Sequence, residues 1–229
     1  MFWLPPRTPS ALGPRACCPA FLRQVIRYLT VEAGVRQFLD IGTGIPNADN
    51  LHAVVQGLAP EARIVYVDND PIVLAHAHVL LSGTSEGVTA FLQADLREPE
   101  DIVRQAAQHL DFSEPVALVL NAVLHHIPDE AEPYRHVAHL VAAVPSGSYL
   151  ALSHLTDDIR NEEMKALSQS VPTQARYLFR SRTHAELARF FEGLELVEPG
   201  LVRIDEWRPG DPEGPTEGRF HYGGVGRKP

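Results

Sequence analysis

Asp40-Ile41-Gly42-Thr43-Gly44-Ile45-Pro46 joins a short apolar run to two glycines. Gly42 and Gly44 permit a tight turn and let a ligand approach the backbone closely. Asp68 follows Gly44 by 24 residues, at the end of a second apolar run, Ile64-Val65-Tyr66-Val67. A carboxylate in that position can accept both hydrogen bonds of a ribose diol. Two cofactor classes share this pattern. A dinucleotide needs a third glycine, and Asn47 stands there. Its pyrophosphate would sit at a helix N-terminus, where Asp40 and Asp49 would oppose its charge. S-adenosylmethionine has no phosphate and carries an ammonium and a sulfonium, so a carboxylate such as Asp40 beside the loop is helpful. The charges favour S-adenosylmethionine, and a nicotinamide-dependent oxidoreductase stays the weaker alternative.

Further positions fit the same chemistry. Gln93-Ala94-Asp95-Leu96 closes a third run, where Asp95 can accept the adenine amino proton and Leu96 can cover the ring. Asp95 reads equally well as a simple cap or loop acid. Asn121 ends the fourth run, Val116 to Leu120, and can face the cofactor. It lacks a following Pro-Pro-aromatic, so it does not read as a clamp for the exocyclic amines of bases. Methyl transfer is an in-line displacement in which the protein supplies alignment and desolvation. A hydroxyl or ammonium acceptor also has to lose a proton, which suits a base titrating near neutral pH. His125 and His126 follow the fourth run and His154 ends the fifth, so these three of the 11 histidines are the candidate bases. The competing reading of each is a histidine bonded to backbone or facing solvent. His76 and His78 are two apart on a helix and cannot share a face. His136 and His139 are three apart and can pair, but no third ligand supports a metal site, and none is expected. Glu162 and Glu163 read as a solvated helix face.

The elements that position these residues follow from periodicity. Phe21, Leu22, Val25, Ile26 and Leu29 recur at helical spacing after Pro19, and Gly34 ends that helix. Strands are expected at 37–42, 64–68, 88–94, 116–120 and 148–153. Helices are expected around 51–58, 71–81, 100–109 and 134–144, with a polar helical stretch over 157–168. Thr183-His184-Ala185-Glu186 is a capping box opening a helix that runs to Gly193. Leu194 to Val202 and Phe220 to Val225 read as the last strands, joined by a Pro/Gly-rich loop over 208–218 that reads equally as a lid near the acceptor or a surface hairpin. Strands alternating with helices mean a doubly wound, mostly parallel α/β sheet with helices on both faces.

Composition bounds the rest. The net charge of −9 argues against a nucleic-acid partner, because that affinity comes from Lys and Arg neutralising phosphates. Cys17 and Cys18 are adjacent and cannot staple distant parts of the chain, which fits a reducing, cytoplasmic setting. No apolar run approaches the roughly 20 residues of a membrane span. Residues 1–18 read as a Pro-rich, disordered lead-in and 19–229 as one cofactor-binding domain. The sequence is silent on oligomeric state.

The ordered set Asp40-Ile41-Gly42-Thr43-Gly44, Tyr66-Val67-Asp68-Asn69-Asp70-Pro71, Ala94-Asp95-Leu96-Arg97 and Ala122-Val123-Leu124-His125-His126-Ile127-Pro128-Asp129 resembles the class I S-adenosylmethionine-dependent methyltransferases. More narrowly it is similar to the actinobacterial family labelled S-adenosyl methyltransferase, as are Phe190 to Gly200 and Tyr222 to Lys228. The resemblance runs from about Ala20 to Pro229. It implies a Rossmann-like, seven-stranded sheet in the order 3-2-1-4-5-7-6 with the last strand antiparallel. It also implies S-adenosylmethionine as cofactor, with Asn69 beside Asp68 among its contacts, but assigns no substrate; a small molecule methylated on O or N is the expected acceptor. Family members carry a further segment ahead of the first helix, with an Asp-Tyr and a Gly-Gly stretch, and Met1 to Cys18 is unlike it. That departure keeps a second function open: a catalytically impaired, cofactor-binding interaction protein.

Overall fold

The computed structural model describes residues 19–44, 50–73, 75, 84–156, 158, 180–208 and 220–229. Several expectations lie outside these residues: the lead-in 1–18, Asn47 and Asp49, most of the 71–81 helix with His76 and His78, the 157–168 stretch with Glu162 and Glu163, and the 208–218 loop beyond Arg208.

Strands β1 (Gln37–Ile41), β2 (Arg63–Asp68), β3 (Val88–Gln93), β4 (Val116–Asn121) and β5 (Tyr149–Leu155) are parallel neighbours in the order β3-β2-β1-β4-β5. The chain order reverses between β1 and β4, and ligands of open α/β sheets bind at the carboxyl ends beside such a switch. Strand β8 (His221–Arg227) runs antiparallel to β5.

The expected single strand from Leu194 to Val202 is two short ones, β6 (Glu195–Leu196) and β7 (Val202–Arg203), so the sheet has eight strands instead of seven. Pro199 has no N–H for a ladder and Gly200 has φ +92°, which interrupts the run between them. Both pieces pair antiparallel with β8, β6 at Gly226 and Arg227 and β7 at Tyr222 and Gly223. The expected 3-2-1-4-5-7-6 order holds, with β8 in the seventh place and β6 and β7 sharing the sixth.

Side chains alternate across the strands, and both faces are covered. Phe38, Ile64, Tyr66, Ala117, Val119 and Ala151 pack beneath helices α1 (Pro19–Arg27) and α2 (Leu51–Leu58). Leu39, Ile41, Val65, Val67, Leu118, Leu120, Leu150 and Leu152 face α3 (Pro99–Ala106), α4 (Pro133–Ala143) and α5 (His184–Ala188). Helix α1 continues into a turn of π-helix at Tyr28–Glu32 and stops at Gly34, with φ +69°. The capping box of α5 forms: the Thr183 hydroxyl accepts from the Glu186 N–H, and the Glu186 carboxylate accepts from the Thr183 N–H at 2.7 Å. No described helix is long and apolar enough to cross a membrane.

Two features of the core make measurable claims. The last turn of α4 holds no basic residue, and Lys228 supplies one from beyond β8. Its ammonium donates to the carbonyls of Val141 (2.9 Å), Ala142 (3.3 Å) and Val144 (2.6 Å). A cation there satisfies carbonyls the helix leaves open and meets the negative end of its dipole. Separately, His125, His154 and His221 are buried near one another, with the His125 ring 5.6 Å from that of His154 and 6.3 Å from that of His221. Burial holds all three neutral: His154 is pushed down to about 3, His221 to about 4, and His125 well below the ordinary histidine value.

Replacing Lys228 with Met is expected to cost about 2 kcal/mol, the scale of hydrogen bonds to a charged group. Urea unfolding at neutral pH measures it, and an unchanged midpoint would show the capping contacts to be idle. The histidines set the acid limb of stability. Unfolding exposes groups that bind protons below about 6.5, which the folded chain refuses until about pH 4 or lower. Stability is therefore complete above pH 6.5 and declines as pH falls towards 4. His221→Gln should flatten that decline by about one proton in a pH series of urea titrations.

Candidate functional site

The carboxyl ends of β1, β2, β3 and β4 surround a cleft of about 290 Å³. That is near the low end of small-molecule sites, which run from about 300 to 1,000 Å³. Gly42, Gly44, Asp68, Asn69, Asp95, Leu96 and His126 all line it, so seven of the residues marked in the sequence meet in one place. Val73, Val123 and Ile127 add apolar wall.

The floor is built from the end of β1. The N–H groups of Gly42 and Thr43 donate to the carbonyl of Val67, at 2.8 and 3.2 Å, which folds the loop back over β2. Gly42 has φ +77°, and a Cβ there would lie 2.2 Å from a methyl of Val123. Only glycine meets both demands. The Gly44 N–H donates to Oδ2 of Asp68 at 2.7 Å, and the Asp70 N–H donates to Oδ1 at 3.0 Å. A carboxylate has about four lone-pair sites. Asp68 thus keeps capacity for two more donors, which is what a ribose diol offers.

Asp95 is more committed. Its Oδ1 accepts from the backbone N–H and Nε of Arg97, both at 2.9 Å, and its Oδ2 from Arg97 Nη2 (2.6 Å) and Asn69 Nδ2 (3.1 Å). The Arg97 fork, foremost among these, holds the Asp95 carboxyl well below the usual carboxylate range. A ligand amino group would reach Asp95 by displacing the exposed Arg97 side chain or Asn69.

Four residues marked in the sequence stand off the cleft wall. Asp40 is fully buried, and its carbonyl accepts from the Thr43 hydroxyl at 3.2 Å. Asn121 is buried, and its side-chain oxygen accepts from the Ser153 hydroxyl at 2.6 Å, locking β4 to β5 instead of facing the cleft. His125 lies in the interior among the rings of His126, His154 and His221. His154 has no exposed surface and both ring nitrogens are engaged: Nδ1 donates to the Leu155 carbonyl (2.6 Å) and Nε2 accepts from Arg182 (2.8 Å). A base needs a free lone pair at the reacting group, and the His154 lone pair is spent on a guanidinium.

His126 is the candidate base that opens to the cleft. It ends a single 3₁₀ turn, Leu124–His126, that follows the left-handed residue Ala122, φ +56°, at the end of β4. Partial burial lowers its pKa, and the nearby Asp68 carboxylate pulls it back up. The imidazole is consequently neutral at pH 7 and able to take a proton. Sequence reasoning missed Val123, whose size is legible only against Gly42, and Arg182, one of eighteen arginines with no motif to mark it.

The donor set of the cleft suits a cationic, phosphate-free ligand: the carboxylates of Asp68 and Asp95 and apolar surface from Leu96, Val73 and Ile127. Comparison with known proteins points the same way. The family model of the S-adenosyl methyltransferases matches residues 8–229, beginning inside the Pro-rich lead-in and ahead of Ala20. The crystal structure of a DUF574 family protein from Streptomyces avermitilis is 45% identical, with a TM-score of 0.84 over 91% of this chain and 81% of that one. A candidate methyltransferase from Thermobifida fusca is 37% identical, with a TM-score of 0.79 over 91% and 79%. A SAM-dependent methyltransferase from Anabaena variabilis, 15% identical with a TM-score of 0.60 over 90% and 84%, shares the fold alone. No curated protein is similar to the chain. With a family model covering nearly its whole length and Asp68 and Asp95 gathered in one cleft, the chain belongs to the S-adenosyl methyltransferase family, and is a class I methyltransferase that uses S-adenosylmethionine.

Proposed function

We propose that the protein methylates an oxygen or nitrogen of a small molecule in the cytoplasm, with His126 as the base. The observation that carries this reading is the meeting of Asp68, Asp95 and His126 in one cleft. Asp68 holds the ribose of the cofactor through its two remaining lone-pair sites. Asp95 and Asn69 take the adenine edge, Leu96 covers the ring, and the loop from Gly42 to Gly44 lies against the rest of the cofactor. Asp40, buried behind the loop, is the acidic group proposed for the cationic end, directly or through water. When bound, the cofactor would supply an electrophilic methyl group for in-line transfer to the acceptor, with its sulfur as the leaving group. His126 takes the proton released from the acceptor, so the charge on sulfur is lost and one appears on imidazole. Asp68 stabilises that imidazolium at the same time as it holds the ribose.

Titration calorimetry with S-adenosylhomocysteine tests the cofactor half. The parent protein should bind, and Asp68→Ala should bind about 100-fold more weakly, as loss of two charged hydrogen bonds implies. Equal affinities would remove Asp68 from the site. His126→Gln tests the other half. It should bind S-adenosylhomocysteine within about twofold of the parent, yet release it from S-adenosylmethionine about 100-fold or more slowly across a panel of phenols, alcohols and amines, the scale of general base catalysis. The rate of the parent should hold as pH falls to the ordinary histidine value and drop only below it, because a lowered pKa keeps the base neutral further into acid. A rate unaffected by His126→Gln at every pH would overturn its assignment as base.

A further inference from the structure

Arg182 has no exposed surface, yet it carries a full charge into the interior. Burying a guanidinium is unfavourable unless its donors are met, and an apolar residue of similar volume would commonly serve stability as well. What Arg182 meets is informative. Nη1 donates to the carbonyl of Leu124 at 2.9 Å and to His154 Nε2 at 2.8 Å. Nη2 donates to the carbonyl of Ile127 at 2.9 Å and to the Asp129 carboxylate at 2.7 Å. Its Nε has no acceptor among the described residues. The guanidinium lies over the rings of Tyr134 and Phe190, at 5.7 and 5.6 Å, so its plane is held as well as its donors.

Leu124 and Ile127 bracket the pair His125 and His126. The fork therefore pins both ends of the turn that carries His126 to the cleft. Neighbouring contacts brace the same turn: the Arg180 N–H donates to the carbonyl of His125 at 2.7 Å, and Arg180 Nε to Asp129 at 2.9 Å. The far side of the fork is anchored by His154, whose other nitrogen is fixed on Leu155 of β5. A planar fork reaches two carbonyls, an imidazole and a carboxylate at once from two separate nitrogens, four acceptors where an ammonium has three donors on a single atom.

We infer that Arg182 is a positioning residue for the methyl transfer reaction, setting the His126 imidazole against Asp68 by holding the carbonyls of Leu124 and Ile127. This rests on the proposed role of His126. It goes beyond it in assigning the geometry of the base to a residue more than fifty positions away, outside the cleft wall.

The test reads His126 directly. Proton NMR follows its Cε1–H through a pH titration in the parent, Arg182→Lys, Asp68→Asn and the double variant. In the parent, Asp68→Asn lowers the His126 midpoint, because the carboxylate beside it raises it. In Arg182→Lys the turn is released at one end, so the His126 midpoint moves towards the ordinary histidine value and Asp68→Asn shifts it by less than half as much. A lower melting temperature with the His126 midpoint and its response to Asp68→Asn unchanged would make Arg182 structural only and overturn the inference. Where Arg182→Lys does not fold, Asp129→Asn replaces it. The Asp129 side chain is 44% exposed and accepts only one arm of the fork, so a folded Asp129→Asn protein should show the same shift in smaller measure, and no shift overturns the inference equally. Failure of the parent to bind S-adenosylhomocysteine would defeat the reading of the cleft and leave the titration result standing, so the two failures are separable.

Discussion

The Asp68 carboxylate accepts one backbone N–H from each side of the cleft floor, from Gly44 of the β1 loop and from Asp70 at the start of the following helical turn. The first bond ties the end of β1 to that of β2 at a point where the ladder has stopped, and the second turns the chain just after β2. The pairing of Ile41 with Val67 brings the loop to that point, and the Val67 carbonyl receives both Gly42 and Thr43. The fold-back then leaves Gly42 against Val123, so the β4 loop closes on the β1 loop. Three strand ends thus meet at the cleft floor, and the Asp68 carboxylate fastens the first two of them. Loss of Asp68 would loosen the loop that forms the rest of the floor, besides removing the proposed ribose contact.

Much of this was legible in the sequence because parallel strands buried on both faces read as unbroken apolar runs. Val116 to Leu120 is such a run, and an acid that ends a run, as Asp68 does, is marked by the change of polarity. Gly42 and Gly44 were legible because few other reasons place two glycines at the end of a buried strand, and both have positive φ. The capping box at Thr183 was legible because it is local. The break between β6 and β7 has its own signal in Pro199-Gly200, but the apolar residues on either side read as one strand until the pairing with β8 is known.

What sequence could not separate were residues whose roles depend on direction. His125 and His126 are adjacent, and a 3₁₀ turn sends one into the core and the other to the cleft. Asn121 and His154 stand at strand ends with the right chemistry, yet Asn121 turns to Ser153 and His154 to Arg182. In each case a long-range partner decided the orientation, and neither partner is near in sequence. Arg182 is the extreme instance: its four hydrogen-bond partners come from β5 and the loop after β4, and nothing adjacent to it marks it as buried.

The arrangement of charge explains why one histidine of this cluster is suited to take a proton and the others are not. Asp68 lies on the cleft side of the turn and Arg182 on the core side, so the imidazoles between them experience opposite fields. The carboxylate raises the proton affinity of His126. The guanidinium lowers that of His125 and His154, on top of the larger effect of burial. In the proposed reaction a proton released in the cleft would meet one imidazole with a carboxylate beside it, backed by buried neighbours that refuse the charge. Were the whole cluster similarly basic, a proton arriving on His126 could pass inward and charge the core, at the expense of stability. Burial does most to prevent this and the guanidinium adds to it, so the side chain proposed to position the turn also contributes to the insulation.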